Sequence, residues 1–287
     1  MPELPEVETV RRGLAPVMEG RRFEHVQLNR ADIRFPFPDD FIGRLQGAVL
    51  ERLSRRAKFL VAELSSGETL LMHLGMSGRF VIETGSWPPD SGTHNPKHDH
   101  VVFTMSGDDK TMSGKDRPLI IYNDPRRFGF MELLKAGDKG RMAELGPEPL
   151  SNSFSGPVLH AALRAKKAPI KSALLDQRIV AGLGNIYVCE ALYGAHISPL
   201  RLSNTLSEDE CEFLSADIKS TLALAIEAGG STLKDFAAVD GALGYFQHRF
   251  KVYDQKGKAC PDKHCGGTIS RIKQSGRSSF YCDMCQK

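Results

Sequence analysis

Apolar residues recur at Leu4, Val7, Val10, Leu14 and Val17, steps of three and four that predict an amphipathic helix running to about Gly20. From Phe23 to about Leu134 the period shortens to alternating, β-rich segments broken by glycine. Ala57–Leu64 and Thr69–Leu74 flank Ser65-Ser66-Gly67-Glu68 as a hairpin, and His100–Met105 with Leu119–Asn123 form a second pair. This half reads as a β-sandwich with a helix at its edge. Glu83–Asn95 and Gly107–Lys115 read as long exposed hairpin loops. A Pro/Ser/Gly linker at 146–157 closes the half, so the first domain is expected over 1–145. After Pro157 the pattern turns helical. Ser207 and Glu210 form a capping box ahead of Phe213, Leu214, Ile218, Leu222 and Ala225, and Gly229-Gly230 stops the run. A helical domain is expected over 158–248, and short strands and turns over 249–287. The fold class is therefore α+β and multidomain.

Composition changes this picture little. The 287 residues are 41% hydrophobic and 25% charged, ordinary for a globular chain able to bury a sizeable core. No apolar run approaches a membrane span and no cleavable signal is visible, so the cytoplasm is the expected location, with no membrane partner. A net charge of +3 does not announce a polyanion, but its distribution is uneven. Nine Lys/Arg from Arg249 to Lys287 face Asp254, Asp262 and Asp283, a formal +6. A second basic stretch holds Arg164, Lys166, Lys167, Lys171 and Arg178 against Asp176. Charge runs are usually solvated faces, yet these two flank the chain's most chemical motifs.

The first is Cys260-x4-Cys265-x16-Cys282-x2-Cys285. Two close pairs at this separation let two knuckles meet around one tetrahedral ion, and a thiolate-rich set favours Zn²⁺. The alternative is a pair of disulfides, which a cytosolic chain disfavours. His264 could compete with Cys265 as a ligand. With four thiolates the ion would be structural, and the tail's charge would fall to about +4. Cys189 and Cys211 sit in helical patterns and read as core thiols. The second motif is Gly182-Leu183-Gly184-Asn185 before a helical stretch, a turn whose free amides could face an anion, or simply a capped helix.

The third is the N-terminus, Met1-Pro2-Glu3-Leu4-Pro5-Glu6-Val7-Glu8-Thr9-Val10. Pro2 and Pro5 can be read as helix-entry prolines. Methionine removal would instead expose a secondary amine able to act as a covalent nucleophile. The decapeptide resembles the opening of the formamidopyrimidine-DNA glycosylases, bacterial enzymes that excise oxidised purines. The resemblance extends over essentially the whole chain, through Arg55-Arg56-Ala57-Lys58, His73-Leu74-Gly75-Met76, Asp124-Pro125-Arg126-Arg127-Phe128-Gly129, the 182–185 turn, Thr232–Phe236, Gln247–Tyr253 and the cysteine module. It implies a β-sandwich, a helix-two-turn-helix domain and a zinc-ribbon hairpin. It also implies a DNA glycosylase with AP lyase activity, acting as a monomer on damaged double-stranded DNA with one structural Zn²⁺.

Residue by residue, the resemblance makes Pro2 the nucleophile, Glu3 the proton relay and Lys58 the catalytic cation, with Arg277 gripping a phosphate near the lesion. Met76, Arg126 and Phe128 would fill the gap left by an extruded nucleotide, Arg126 facing the orphaned cytosine. His73, His98, Arg127, Lys171, Asn185, Lys234 and Tyr253 would complete the DNA contacts. Cys260, Cys265, Cys282 and Cys285 would hold the zinc. The x4 knuckle and the loop around 108–117 depart from the family pattern. A pyrimidine-specific relative, a non-catalytic zinc-ribbon DNA binder and a ribosome or RNA factor are the competing readings.

Overall fold

The computed structural model describes residues 2–85, 94–107, 117–232 and 244–287. Two compact units partition the chain, one built from residues 1–140 with 231–244, the other from 141–230 with 245–287.

The first unit opens with α1 (Leu4–Met18), whose Val7, Val10, Leu14 and Met18 point into the core. Two four-stranded antiparallel sheets follow. One runs β1 (Phe23–Leu28), β6 (Asp99–Met105), β7 (Pro118–Asn123), β5 (Arg79–Thr84); the other runs β2 (Leu50–Arg56), β3 (Phe59–Leu64), β4 (Thr69–His73), β8 (Phe130–Leu134). Their inner residues, among them Phe23, Leu60, Leu70, Phe80, Phe103, Ile120 and Tyr122, join the α1 stripe and α2 (Phe41–Leu45) in one cluster. The expected sandwich is present, and its helix is part of the core. In the expected hairpin, β3 begins at Phe59 rather than Ala57. Ala57 and Lys58 form the β2–β3 turn instead, because Ala57 takes a left-handed φ of 53° that a strand cannot hold. The expected 83–95 and 107–117 loops lie largely outside the described residues.

The second unit contains α3 (Gly156–Leu163), α4 (Ile170–Leu174), α5 (Asn185–Gly194), α6 (Glu208–Glu227) and the hairpin β9 (Ile269–Gln274)–β10 (Arg277–Cys282). The capping box closes as expected. Ser207 Oγ accepts from Glu210 N at 3.2 Å, and Glu210 Oε2 accepts from Ser207 N at 2.9 Å. Such a cap contributes about 1 kcal/mol. Cys211, Leu214, Ile218, Leu222 and Ala225 are buried along α6. Phe213 departs from the expected stripe and is 70% exposed, since its neighbour Leu214 already claims the inward direction. Among the described residues no helix is long and apolar enough to cross a membrane.

Candidate nucleic-acid site and metal centre

Pro2 and Glu3 are buried at the N-terminus of α1. Glu6 Oε2 accepts from Glu3 N at 2.8 Å, and Glu6 Oε1 accepts from Ser231 N at 2.8 Å and Ser231 Oγ at 3.0 Å. Lys58 is 7% exposed, so a carboxylate and an ammonium are both withdrawn from bulk solvent in this unit. Arg55 ties the Lys58 turn to α1: its Nε donates to Glu8 Oε2 at 3.2 Å and its Nη1 to Ala57 O at 3.0 Å. Burial pushes the Glu8 carboxyl up, but hydrogen bonds and charge from Arg11, Arg12 and Arg55 outweigh it and hold the group below its usual range. Glu8 therefore stays ionised and keeps its grip on Arg55.

Two loops of the same unit present the expected wedge residues. Residues 74–78 carry Met76, and residues 124–129 expose Arg126, Arg127 and Phe128. Together with Asp32, Ile33, Arg34, His73 and Gly75 they line a cavity of about 600 Å³. The Arg126 guanidinium lies 5.0 Å from the Phe128 ring centroid. The loops touch so closely that a Cβ on Gly75 would fall 2.3 Å from the Phe128 carbonyl carbon and the Gly129 nitrogen. Gly75 also has φ +64°, which favours glycine for a second reason.

Asp124 anchors both loops, a role the sequence motif does not disclose. It is 0% exposed, accepting from Ser77 Oγ at 2.6 Å and Gly129 N at 2.9 Å. Arg126 N and the Tyr122 hydroxyl reach it at 3.3 Å each. Burial and the Asp124 charge push the Tyr122 phenol well above its ordinary value, so it remains a donor. His100 Nε2 meets Asp124 O at 2.8 Å, and burial lowers the tendency of its ring to protonate. His98 O accepts from Asp124 N at 2.9 Å. His73 is stacked on Phe130 at 5.1 Å, and its Nδ1 accepts from Gly75 N at 3.0 Å. The neutral ring therefore carries its proton on Nε2, where it can serve as a donor.

In the second unit, Gly182 (φ +85°) and Gly184 lead into α5 at Asn185, as the motif implies. Asn185 Nδ2 donates to Ser278 O at 3.0 Å. Lys171 corrects its expectation. It is 1% exposed, and its Nζ donates to Ser278 O at 2.8 Å and Ser279 Oγ at 2.7 Å. Its ammonium braces the β9–β10 hairpin and is not offered to a phosphate. Glu190 of α5 adds a second brace, accepting from the amides of Lys251, Val252 and Tyr253 at 2.8–3.0 Å. The Tyr253 ring packs 5.0 Å from Phe280.

Arg277 is exposed and opens β10, directly after a two-residue turn of Ser275 (φ 47°) and Gly276 (φ 77°). Two consecutive positive φ angles give the tight hairpin tip that projects it. Lys256, Arg271, Lys273 and Arg277 line a concavity of about 480 Å³ there. Lys234 lies outside the described residues.

The four cysteines converge, with sulfurs all within 4.8 Å of one another. Cys260 and Cys285 Sγ are 3.7 Å apart, and Cys265 and Cys282 Sγ 3.5 Å. No disulfide joins them. Thiolates about 2.3 Å from a tetrahedral Zn²⁺ sit about 3.8 Å from one another, so the set fits the ion. His264 is not part of this cluster. All four positions are protein thiolates, leaving none for water, and the zinc is structural.

A β-sandwich with buried Glu3 and Lys58 and two packed loops carrying Met76, Arg126 and Phe128, in one chain with a helical unit and a basic tetrathiolate finger, fits the class of zinc-finger DNA-processing enzymes. Comparison with known proteins gives the particular family. Residues 1–131 match the formamidopyrimidine-DNA glycosylase N-terminal domain, 145–237 its H2TH domain, and 257–287 the zinc finger found in FPG and IleRS. The formamidopyrimidine-DNA glycosylase of Rhodopseudomonas palustris is 53% identical over 302 residues, covering all of both chains. Among solved structures, MutM in complex with DNA containing carbocyclic 8-oxo-G is 34% identical, with TM-score 0.84 and both chains fully covered. Lactococcus lactis Fpg in complex with abasic-site DNA is 33% identical, with TM-score 0.85 and the same coverage. The chain belongs to the formamidopyrimidine-DNA glycosylase family, DNA glycosylases with AP lyase activity.

Proposed function

We propose that Pro2, Glu3 and Lys58 carry this activity against oxidised purines, 8-oxoguanine and formamidopyrimidines, extruded from duplex DNA. With Met1 removed, Pro2 becomes a secondary amine at the N-terminus of α1. A secondary amine at this position is the covalent nucleophile of the reading. The nitrogen attacks C1′ and the N-glycosidic bond breaks, its electron pair leaving with the base. Ring opening, assisted by a proton from Glu3, gives an iminium cation. The cation acidifies the C2′ hydrogen; loss of that proton expels the 3′ phosphate, and a second elimination expels the 5′ phosphate. Lys58 supplies positive charge beside the departing oxygens. The observation that carries this reading is the burial of Glu3 and Lys58, with the Lys58 turn strapped to α1 through Glu8, Arg55 and Ala57 O.

Met76, Arg126 and Phe128 fill the vacated stack, and Arg126 offers two donors to the orphaned cytosine. His73, His98, Arg127, Asn185, Lys234, Tyr253 and the finger-tip Arg277 hold phosphates. The protein acts as a monomer on damaged double-stranded DNA, in the bacterial cytoplasm with the nucleoid.

The test is borohydride trapping on a duplex with 8-oxoguanine opposite cytosine, using protein whose N-terminus is verified as Pro2. A covalent band that maps to Pro2, and is absent with undamaged duplex, is the expected result. Trapping on thymine glycol in preference to 8-oxoguanine would move the protein to pyrimidine repair. Tight lesion binding without a band would make it a non-catalytic binder.

A further inference from the structure

Tyr193 is the last aromatic residue of α5, and its hydroxyl lies 3.3 Å from Cys260 Sγ. The ring is 6% exposed and packs in one cluster with Cys189, Val252, Cys260, Ile269, Phe280 and Cys282. A zinc-bound thiolate has no proton to give, so in the metal-loaded finger the phenol is the donor and the sulfur the acceptor. Other thiolates of the set receive backbone amides. Cys282 has those of Met284 and Cys285, and Cys265 has that of Gly267. The donor on Cys260 is a side chain from a helix outside the finger.

We propose that Tyr193 protects the zinc centre by donating this hydrogen bond to the Cys260 thiolate. Four thiolates around one Zn²⁺ leave a formal charge of −2, which makes the sulfurs electron-rich and open to electrophiles. A donated hydrogen bond draws density from the sulfur lone pair. It lowers the nucleophilicity of Cys260 toward an electrophile such as peroxide. The exposure of the set makes this the useful place for a guard. Cys265 and Cys285 are partly open, so peroxide entering there needs a second thiolate to complete a disulfide. In that reaction two thiolates surrender two electrons, peroxide takes them up with two protons to become two waters, and the ion leaves. Cys260 Sγ, 3.7 Å from Cys285 Sγ, is placed to be the second sulfur. An enzyme that repairs oxidised bases operates where such oxidants are present, and losing the ion would release the hairpin that presents Arg277.

The test compares the zinc-loaded protein with Tyr193→Phe, which removes the hydroxyl and keeps the ring. Zinc release under hydrogen peroxide is followed with a chromogenic chelator. The variant is expected to lose zinc about 10-fold faster, at the lower edge of the ~10–100-fold effects of outer partners on metal sites. A merely structural role could also speed release, so both proteins are substituted with Co²⁺ and their thiolate-to-metal charge-transfer bands recorded. Removing a donor from the thiolate raises the sulfur lone pair, and the band should move to longer wavelength in Tyr193→Phe. Equal release rates would overturn the proposal. Faster release with an unmoved band would also overturn it, assigning Tyr193 to packing alone.

Discussion

Replacing Asp124 by alanine should separate the two wedge loops and cost the enzyme its discrimination between opposite bases. The buried carboxylate accepts from Ser77 on one loop and from Gly129 and Arg126 on the other, with Tyr122 beneath. A hydrogen bond to a charged group contributes about 1.5–3 kcal/mol, and the bonds at 2.6 and 2.9 Å will dominate. Asp124→Ala should therefore destabilise the protein by about 3–5 kcal/mol, inside the ~5–15 kcal/mol stability of a typical domain, so the variant still folds. Asp124→Asn should cost less, about 2 kcal/mol, because one oxygen is kept while its NH2 must face either Gly129 N or the Ser77 hydroxyl. Functionally, a bidentate arginine–base contact provides about 1–3 kcal/mol of discrimination, so a displaced Arg126 should lose roughly 10-fold in selectivity for cytosine. Urea unfolding measures the first quantity. Single-turnover excision of 8-oxoguanine opposite cytosine and opposite adenine measures the second. An Asp124→Ala protein that unfolds earlier yet discriminates like wild type would refute the positioning argument, leaving Asp124 a stabilising residue only. One within 1 kcal/mol of wild-type stability would refute the hydrogen-bond accounting.

Further outcomes follow from the same geometry. Gly75→Ala should lower both stability and lesion binding, because the new Cβ meets backbone atoms at 2.3 Å that cannot swing away; paired melting and gel-shift measurements check it. Arg277→Ala should weaken binding to damaged and undamaged duplex alike and reduce the slope of log K against log salt by about one, read from titrations at several ionic strengths. His100 is buried with its ring disfavouring the proton, so its folded pKa lies below its unfolded value near 6.5. Its contribution is complete above that value and is lost as pH falls below it toward the folded pKa. Urea midpoints of wild type and His100→Gln measured between pH 7.5 and 5 should show the steeper acid decline in wild type.

Features that depend on neighbours along the chain are legible in the residues. The 3–4 spacing of Leu4 to Leu14 specified α1, Ser207 with Glu210 specified the cap of α6, and the knuckle spacing specified a tetrahedral thiolate site. Each rests on local geometry: a helical period, a three-residue reach, a short turn between two ligands. The motifs also carried the family resemblance that names Pro2, Glu3 and Lys58. Roles whose partners are remote emerge only once the chain is folded. Ser77 and Asp124 are 47 positions apart, and Lys171 and Ser278 are 107 apart. Lys171 in isolation reads as a cation for phosphate, because nothing nearby in the chain reveals that a hairpin carbonyl will bury and occupy it. Phe213 reads as core because periodicity tolerates an extra apolar position, and only packing shows which residue of α6 faces inward. Tyr193 and Cys260 belong to the same group. A helix residue and a finger thiolate 67 positions away meet because the second unit docks α5 against the finger, a contact no local pattern encodes.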